Sequence, residues 1–395
     1  MSQGRILSID IMRGLTLLLM LFVNDLNMNV APQWLGHTEA GFDGMWLADW
    51  VFPGFLFIAG MSVPFALSKR FANEEPANMI IRHIVKRALS LVIIGVLMLN
   101  TSRVEPVLTG LSRNLWALLM YTGVFLVWND YRSREKRFFT VAGLRLTGII
   151  LLVFLVFKFN SGESANSGSL ITGWWGILGQ IGWGYLVTAL TYMICRESIL
   201  KTSVVAVFFL ALNILDSLGY TGYLENIKPV LGIIIQGNVP FIVTAGLIGG
   251  LIIRKIPRQE FSKVTAIFAG IAIICLAAGF FLRKWFIISK ILATPSFGLI
   301  CTGISFLVYV VVYLIVDARG YNRWTFLLRP AGENSLTTYL APTILYHIIW
   351  LSGIPVLIYK QSTEPLVVIA GSVVWTLLMA GLAALLARAG IRLRL

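Results

Sequence analysis

The chain has 395 residues, 57% hydrophobic and 13% charged, with a mean hydropathy of +0.83. Soluble domains carry about 25% charged residues, so this composition excludes an ordinary water-soluble enzyme and equally a disordered chain. The net charge of +14 points to nucleic acid in a soluble protein, but to basic cytoplasmic loops in a membrane protein, so the placement of the charges decides.

Twelve windows are apolar enough to cross a bilayer, which takes about 20 residues per helix. They are 7–28, 46–67, 84–100, 114–129, 139–157, 173–195, 203–219, 235–253, 264–282, 296–316, 334–352 and 366–387. The third, fourth and seventh are the weakest, being short or carrying polar interruptions, and eleven spans is the alternative count. No linker is long enough for a soluble unit. The expectation is an all-α polytopic membrane protein, one transmembrane domain over 1–395, with both termini cytoplasmic. Placing the N-terminus inside puts 23 Lys and Arg residues in inside segments and 8 outside, which absorbs the net charge without nucleic acid. Among the inside charges are Arg5, Arg132, Arg134, Lys136 and Arg137. Met1–Arg5 runs into the first span without a cleavage site, so no signal peptide is expected.

Charges and amides inside spans are functional candidates because lipid makes them costly. In the first span Asp10 and Arg13 are three apart and share a helix face, either as a structural pair or as part of a site. Asn24 and Asp25 close that span at the outer face. The following loop carries His37, Glu39 and Asp43, and Asp49 opens the second span ahead of Pro53. Of three histidines, His83 lies in a basic inside loop and His347 in an apolar helix, so His37 has the best acid–base surroundings. Asp49 orients an imidazole or caps the second helix. Farther on, Glu105, Glu163 and Trp174 lie toward the outer mouth, and Gln180 lies inside the sixth span. The segment Arg329–Tyr339 brings Asn334 and Ser335 to a helix N-terminus, which caps the helix or holds a phosphate. No CxxC or HxxxH spacing suggests a metal. No Walker loop, GxGxxG or GxSxG is present.

Three stretches together resemble one family. They are Ser8-Ile9-Asp10-Ile11-Met12-Arg13-Gly14-Leu15 followed by Val23-Asn24, then His37 with Asp43-Gly44, then Ala48-Asp49-Trp50-Val51-Phe52-Pro53-Gly54-Phe55-Leu56-Phe57-Ile58-Ala59-Gly60. This pattern is similar to that of the heparan-α-glucosaminide N-acetyltransferase family of transmembrane acyltransferases, and the specific match covers the first 65 residues. The resemblance implies acetyl transfer from cytoplasmic acetyl-CoA to an amino sugar across the membrane, with no metal. It places the family's catalytic histidine on His37, its asparagine on Asn24 and its aspartate on Asp49. Here Phe42-Asp43-Gly44 stands where the family has Trp-Asn-Gly, and the histidine aligns through a small loop insertion. The eukaryotic relatives have a further N-terminal luminal domain, so a chain of this length looks bacterial, from an inner membrane. Arg13, Lys86, Arg87 and Arg319, with Asn334 and Ser335, are the candidates for holding the coenzyme. Asp25, Glu105, Trp174 and Gln180 are those for the acceptor. Expected partners are acetyl-CoA, an amino-sugar or glycan acceptor and the bilayer, with a homodimer left open. Two other readings remain: a secondary transporter of a small solute or sugar, and an O-acetyltransferase of an envelope glycan.

Overall fold

The computed structural model describes residues 6–131, 138–163 and 168–395. Arg5, Arg132, Arg134, Lys136 and Arg137 lie outside the described residues. Every apolar window folds as helix, because a backbone in hydrocarbon must satisfy its own hydrogen bonds. The first three helices are α1 (Leu7–Asp25), α2 (Leu47–Ala72) and α3 (Ala77–Asn100). A short α4 (Pro106–Thr109) precedes α5 (Arg113–Trp128), α6 (Phe138–Lys158), α7 (Gly176–Cys195) and α8 (Ile199–Ser217). Next come α9 (Lys228–Gln236), α10 (Asn238–Lys255), α11 (Phe261–Leu282) and α12 (Pro295–Tyr313). The short α13 (Leu328–Glu333) leads into α14 (Ser335–Ser352), and α15 (Pro365–Arg388) follows.

Among the described residues, 10 helices are long and apolar enough to cross a membrane. The chain is thus a polytopic, all-α membrane protein. The remaining two windows fall on α5, which has only 16 residues, and on α14, which opens on Ser335, Thr337 and Thr338 and contains Pro342. Two windows differ from the helices they found. Helix α3 starts at Ala77 rather than at 84, since the turns before the window carry Asn78, Arg82 and His83 and are helical without being uniformly apolar. The window 235–253 straddles a break at Gly237, whose φ of +73° is left-handed and whose Cβ position is blocked by the Phe209 carbonyl.

The polar contacts between loops show which helix ends lie together. At the end where the inside charges gather, Asp317 accepts the backbone N–H of Leu7 (3.2 Å) and Ser8 (3.0 Å), so the α12 terminus caps α1. Arg254 pairs with Glu197 at 3.0 Å and Arg392 with Asp130 at 3.0 Å at the same end. At the opposite end Arg283 pairs with Asp43 at 2.8 Å, and Asn213 donates to the Ala293 carbonyl at 2.9 Å. The helices therefore alternate in direction, with one basic end and one opposite end.

The centre of the bundle is α10, whose span is 83% buried, whereas that of α6 is 11% buried and faces outward. Helices α2 and α10 pack backbone to backbone through small residues: a Cβ on Gly60 would overlap the Val243 carbonyl, and one on Gly246 the Phe57 carbonyl. Helix α1 meets α13 in the same way, through Gly14 against Leu328 and Gly332 against Asp10. Such contacts fix α1 and α2, the two helices that carry most of the sequence's buried charge.

Candidate functional site

Trp46 enters α2 in an extended conformation, and Asp49 in the first turn reaches back to it. Its Oδ2 accepts the Trp46 N–H at 3.0 Å, as well as the Thr38 N–H and hydroxyl at 3.2 Å each. Its Oδ1 accepts Nδ1–H of His37 at 2.8 Å. Capping and orienting thus fall to separate oxygens of one carboxylate. Asp49 is fully buried, while the His37 side chain keeps 49% exposure. An ionised carboxylate only accepts, so its contact with Nδ1 requires the proton there, and in the neutral form of the ring Nε2 is then the free basic nitrogen.

A third group completes the cluster. Lys290 lies between α11 and α12, with Nζ 3.1 Å from His37 Nδ1, 3.5 Å from Nε2 and 4.0 Å from Asp49 Oδ1. Burial pushes its amine below the usual lysine range. The His37 loop and the Lys290 segment are tied together: Asp43 accepts the Ile288 N–H and Arg283 Nε–H at 2.8 Å each, and Ser289 donates to the Ala40 carbonyl at 2.9 Å. The Ile288 N–H, then the Arg283 guanidinium, hold the Asp43 carboxyl below its usual range.

At the basic end a cavity of about 890 Å³ opens between α1, α2, α3, α7, α13 and α14. That is toward the top of the range for ligand pockets, roughly 300–1,000 Å³. Its mouth carries Arg13, Lys69, Arg87 and Arg394, with the acids Asp10 and Glu333 beside them. Arg13 is held by Asp10 at 3.3 Å, by the Gly332 carbonyl at 3.4 Å and by the Ser62 hydroxyl. The Arg87 guanidinium lies over the Tyr185 ring, 4.6 Å from its centroid. Inward, the lining turns apolar through Leu17, Met20 and Phe55. On α2 it ends at Phe55, about 9 Å along the helix axis from Asp49 at 1.5 Å per residue. Between them, Trp50 is buried and its indole N–H donates to Ser305 at 3.2 Å. The cavity closes short of His37.

Residues 5–213 match a family described as a domain of unknown function, DUF5009. The chain belongs to the DUF5009 family. It is also 32% identical over 99 residues to the heparan-alpha-glucosaminide N-acetyltransferase of Mus musculus, a stretch covering 25% of this chain and 14% of the mouse protein. That match relates this DUF5009 chain distantly to an N-acetyltransferase, and it spans a minor part of that relative's length.

The other candidates of this DUF5009 chain separate into two groups. Arg13, Arg87 and Ser335 line the basic-end cavity, whereas Lys86 and Arg319 are exposed and do not. Asn334 and Ser335 donate back to the Pro330 carbonyl (3.1 Å) and the Gly332 carbonyl (2.7 Å), closing the turn between α13 and α14. At the opposite end Asn24 is exposed on the last turn of α1, and its neighbour Asp25 is buried. Asp25 is occupied by Lys360 at 2.7 Å, the Tyr359 hydroxyl at 2.8 Å and the Tyr346 hydroxyl, so it ties α1 to the α14–α15 connection. Gln180 donates to the Trp174 carbonyl at 3.4 Å, with Trp174 itself 52% exposed. Glu163 pairs with Arg103 at 2.6 Å, and the Glu105 backbone N–H donates to Asn160 at 3.0 Å. No group of three His, Cys, Asp or Glu positioned for a metal occurs among the described residues.

Sequence reasoning missed Lys69, Arg394 and Lys290. The first two sit among many basic residues of one end, so charge alone does not single them out. Lys290 did carry a signal: it is one of the few basic residues at the opposite end, flanked by Phe286-Ile287-Ile288 and Ile291-Leu292.

Proposed function

We propose that this protein is a transmembrane acetyltransferase. In this reading the basic end faces the cytoplasm and its cavity takes acetyl-CoA, with the phosphates at Arg13, Lys69, Arg87 and Arg394 and the pantetheine arm along the apolar lining. The acceptor is the amino group of a glucosamine-type sugar arriving at His37 from the other side. The observation that carries the reading is one bundle with an oriented His37–Asp49 pair at one end and a cation-mouthed cavity at the other. The distant relation to an N-acetyltransferase supports the same chemistry.

The mechanism takes His37 as a neutral imidazole with its proton on Nδ1. Nε2 of His37 takes a proton from the acceptor amine as its nitrogen attacks the acetyl carbonyl carbon. The carbon–sulfur bond breaks, the amide forms, and the coenzyme leaves as a thiolate that accepts the proton. Asp49 stabilises the imidazolium that exists between these steps, and its three further hydrogen bonds keep it ionised and fixed. Asn24 is the amide assigned to the oxyanion, a contribution of roughly 3 kcal/mol in comparable sites. For the arm to reach the acceptor, the Trp50 level of the bundle must open on binding. A hydroxyl acceptor on an envelope glycan is the second reading, favoured by the Lys290 cation, which repels an ammonium at the same place. The transporter reading calls for broken helices in corresponding halves. The breaks at Gly237 and Asn334 both lie in the second half of the chain.

The test is reconstitution in liposomes with acetyl-CoA on one side and glucosamine on the other, with acetylated product analysed by mass. Amide product supports the proposal and ester product the second reading. Absence of product from every amino sugar and glycan, with solute uptake in the absence of acetyl-CoA, gives the answer to the transporter.

A further inference from the structure

We propose that Lys290 is the positioning residue that holds His37 as a neutral imidazole, by offsetting the buried Asp49 charge and lying against the ring. The inference rests on the reading of His37 as the base, but the contact is geometric and stands apart from any activity. A carboxylate alone, buried and 2.8 Å from Nδ1, would favour the imidazolium and leave no free base near neutral pH. Lys290 prevents that in two ways. Its ammonium is 4.0 Å from Asp49 Oδ1, so the buried carboxylate is paired before the imidazole gains a charge. It is also close to both ring nitrogens, at 3.1 and 3.5 Å. A donor in the ring plane bonded to one nitrogen would stand far from the other, and Nδ1 already donates to Asp49. The near-equal distances therefore put Nζ over the ring face, where it repels an imidazolium and tolerates a neutral ring.

The charged surroundings are accounted for from each neighbouring element. On the loop of His37 itself, Glu39 is exposed and Asp43 is taken by Arg283. Helix α2 contributes Asp49, the α11–α12 segment Lys290, and α12 the buried Cys301 thiol, which lies within electrostatic reach of both. Lys290 is the cation that meets the ring. It is placed there by the Asp43–Ile288 and Ser289–Ala40 bonds, so its position is built into the fold.

The experiment follows the His37 ring resonances by NMR against pH in purified protein with labelled histidine, assigned by His37→Gln among the three histidines. In Lys290→Met the titration midpoint of His37 is expected to rise by about one pH unit, a tenfold change in protonation equilibrium. Lys290→Arg, which keeps the charge, stays at the wild-type midpoint. Lys290→Gln serves the same purpose where the methionine variant does not fold. Where acetyl transfer is measurable, the acidic limb of kcat/KM moves by the same amount. An unchanged or lowered midpoint in Lys290→Met overturns the proposal. A raised midpoint in a protein with no transferase activity upholds the role of Lys290 and removes only the acyltransferase reading.

Discussion

His37 and Asp49 meet at 2.8 Å across the junction of the first extended loop and α2, so the imidazole is oriented by the same carboxylate that starts the helix. Removing either partner has different consequences. His37→Ala loses a half-exposed side chain and is expected to abolish transfer while leaving thermal unfolding in detergent near wild type. Asp49→Ala strands the buried donors of Trp46 and Thr38, at about 1–3 kcal/mol for each unsatisfied group, and should lower both stability and turnover. Equal melting shifts for the two variants would count against the division of labour between the two oxygens.

The basic end makes a sharper distinction. Arg87→Gln and Lys69→Gln, at the cavity mouth, are each expected to weaken coenzyme A binding by roughly tenfold to a hundredfold, in line with loss of one charge-assisted phosphate contact. Lys86→Gln and Arg319→Gln, exposed and away from the lining, should leave it unchanged. Calorimetric titration of coenzyme A into each variant measures this, and equal losses from all four would mean a general electrostatic field in place of a site.

Asp25 is held by Lys360, Tyr359 and Tyr346 at the opposite end. Lys360→Met leaves a carboxylate that is 1% exposed without its cation, and breaking a buried pair in this way costs about 3–5 kcal/mol. The expected result is a clearly lower melting temperature. Burial, then the Asp25 carboxylate, push the Tyr359 hydroxyl above its usual range, so this contact does not ionise at physiological pH. A change in acceptor KM without loss of stability in Lys360→Met would return Asp25 to the acceptor site.

The tie between the His37 loop and the Lys290 segment depends on pH through Asp43. Its folded pKa is depressed, so its contribution is complete above the unfolded carboxylate value of about 3.9 and is lost only as pH falls through the lower folded value. The Ile288 amide resonance should therefore hold its position down through pH 4 by this rule and move below it. In Asp43→Asn the dependence disappears. Movement of that resonance between pH 5 and 7 would contradict the assignment.

What could be read without coordinates is what hydropathy and local spacing determine. A window of apolar residues must be helical in lipid whatever surrounds it, which is why all twelve windows recur as helices, whereas the polar first turns of α3 and the break at Gly237 escaped. The Asp10–Arg13 contact is likewise local, three residues on one helix face. The hydrogen bonds that Arg13 donates to the Gly332 carbonyl and the Ser62 hydroxyl are not, because these lie on other helices.

Chain order alone decided the fold class, the position of the apolar helices and the density of charge at each end, since these depend on the transfer of each residue between water and hydrocarbon. Tertiary packing decided the chemistry. It brought Lys290 from 253 positions away onto the His37 ring, filled Asp25 with partners, and left Arg13 and Arg87 on a cavity that Lys86 does not reach. The physical reason is range: partition into lipid is a property of a segment by itself, while the protonation state of an imidazole and the pairing of a buried charge are set within a few ångströms by whichever distant side chains the fold puts there.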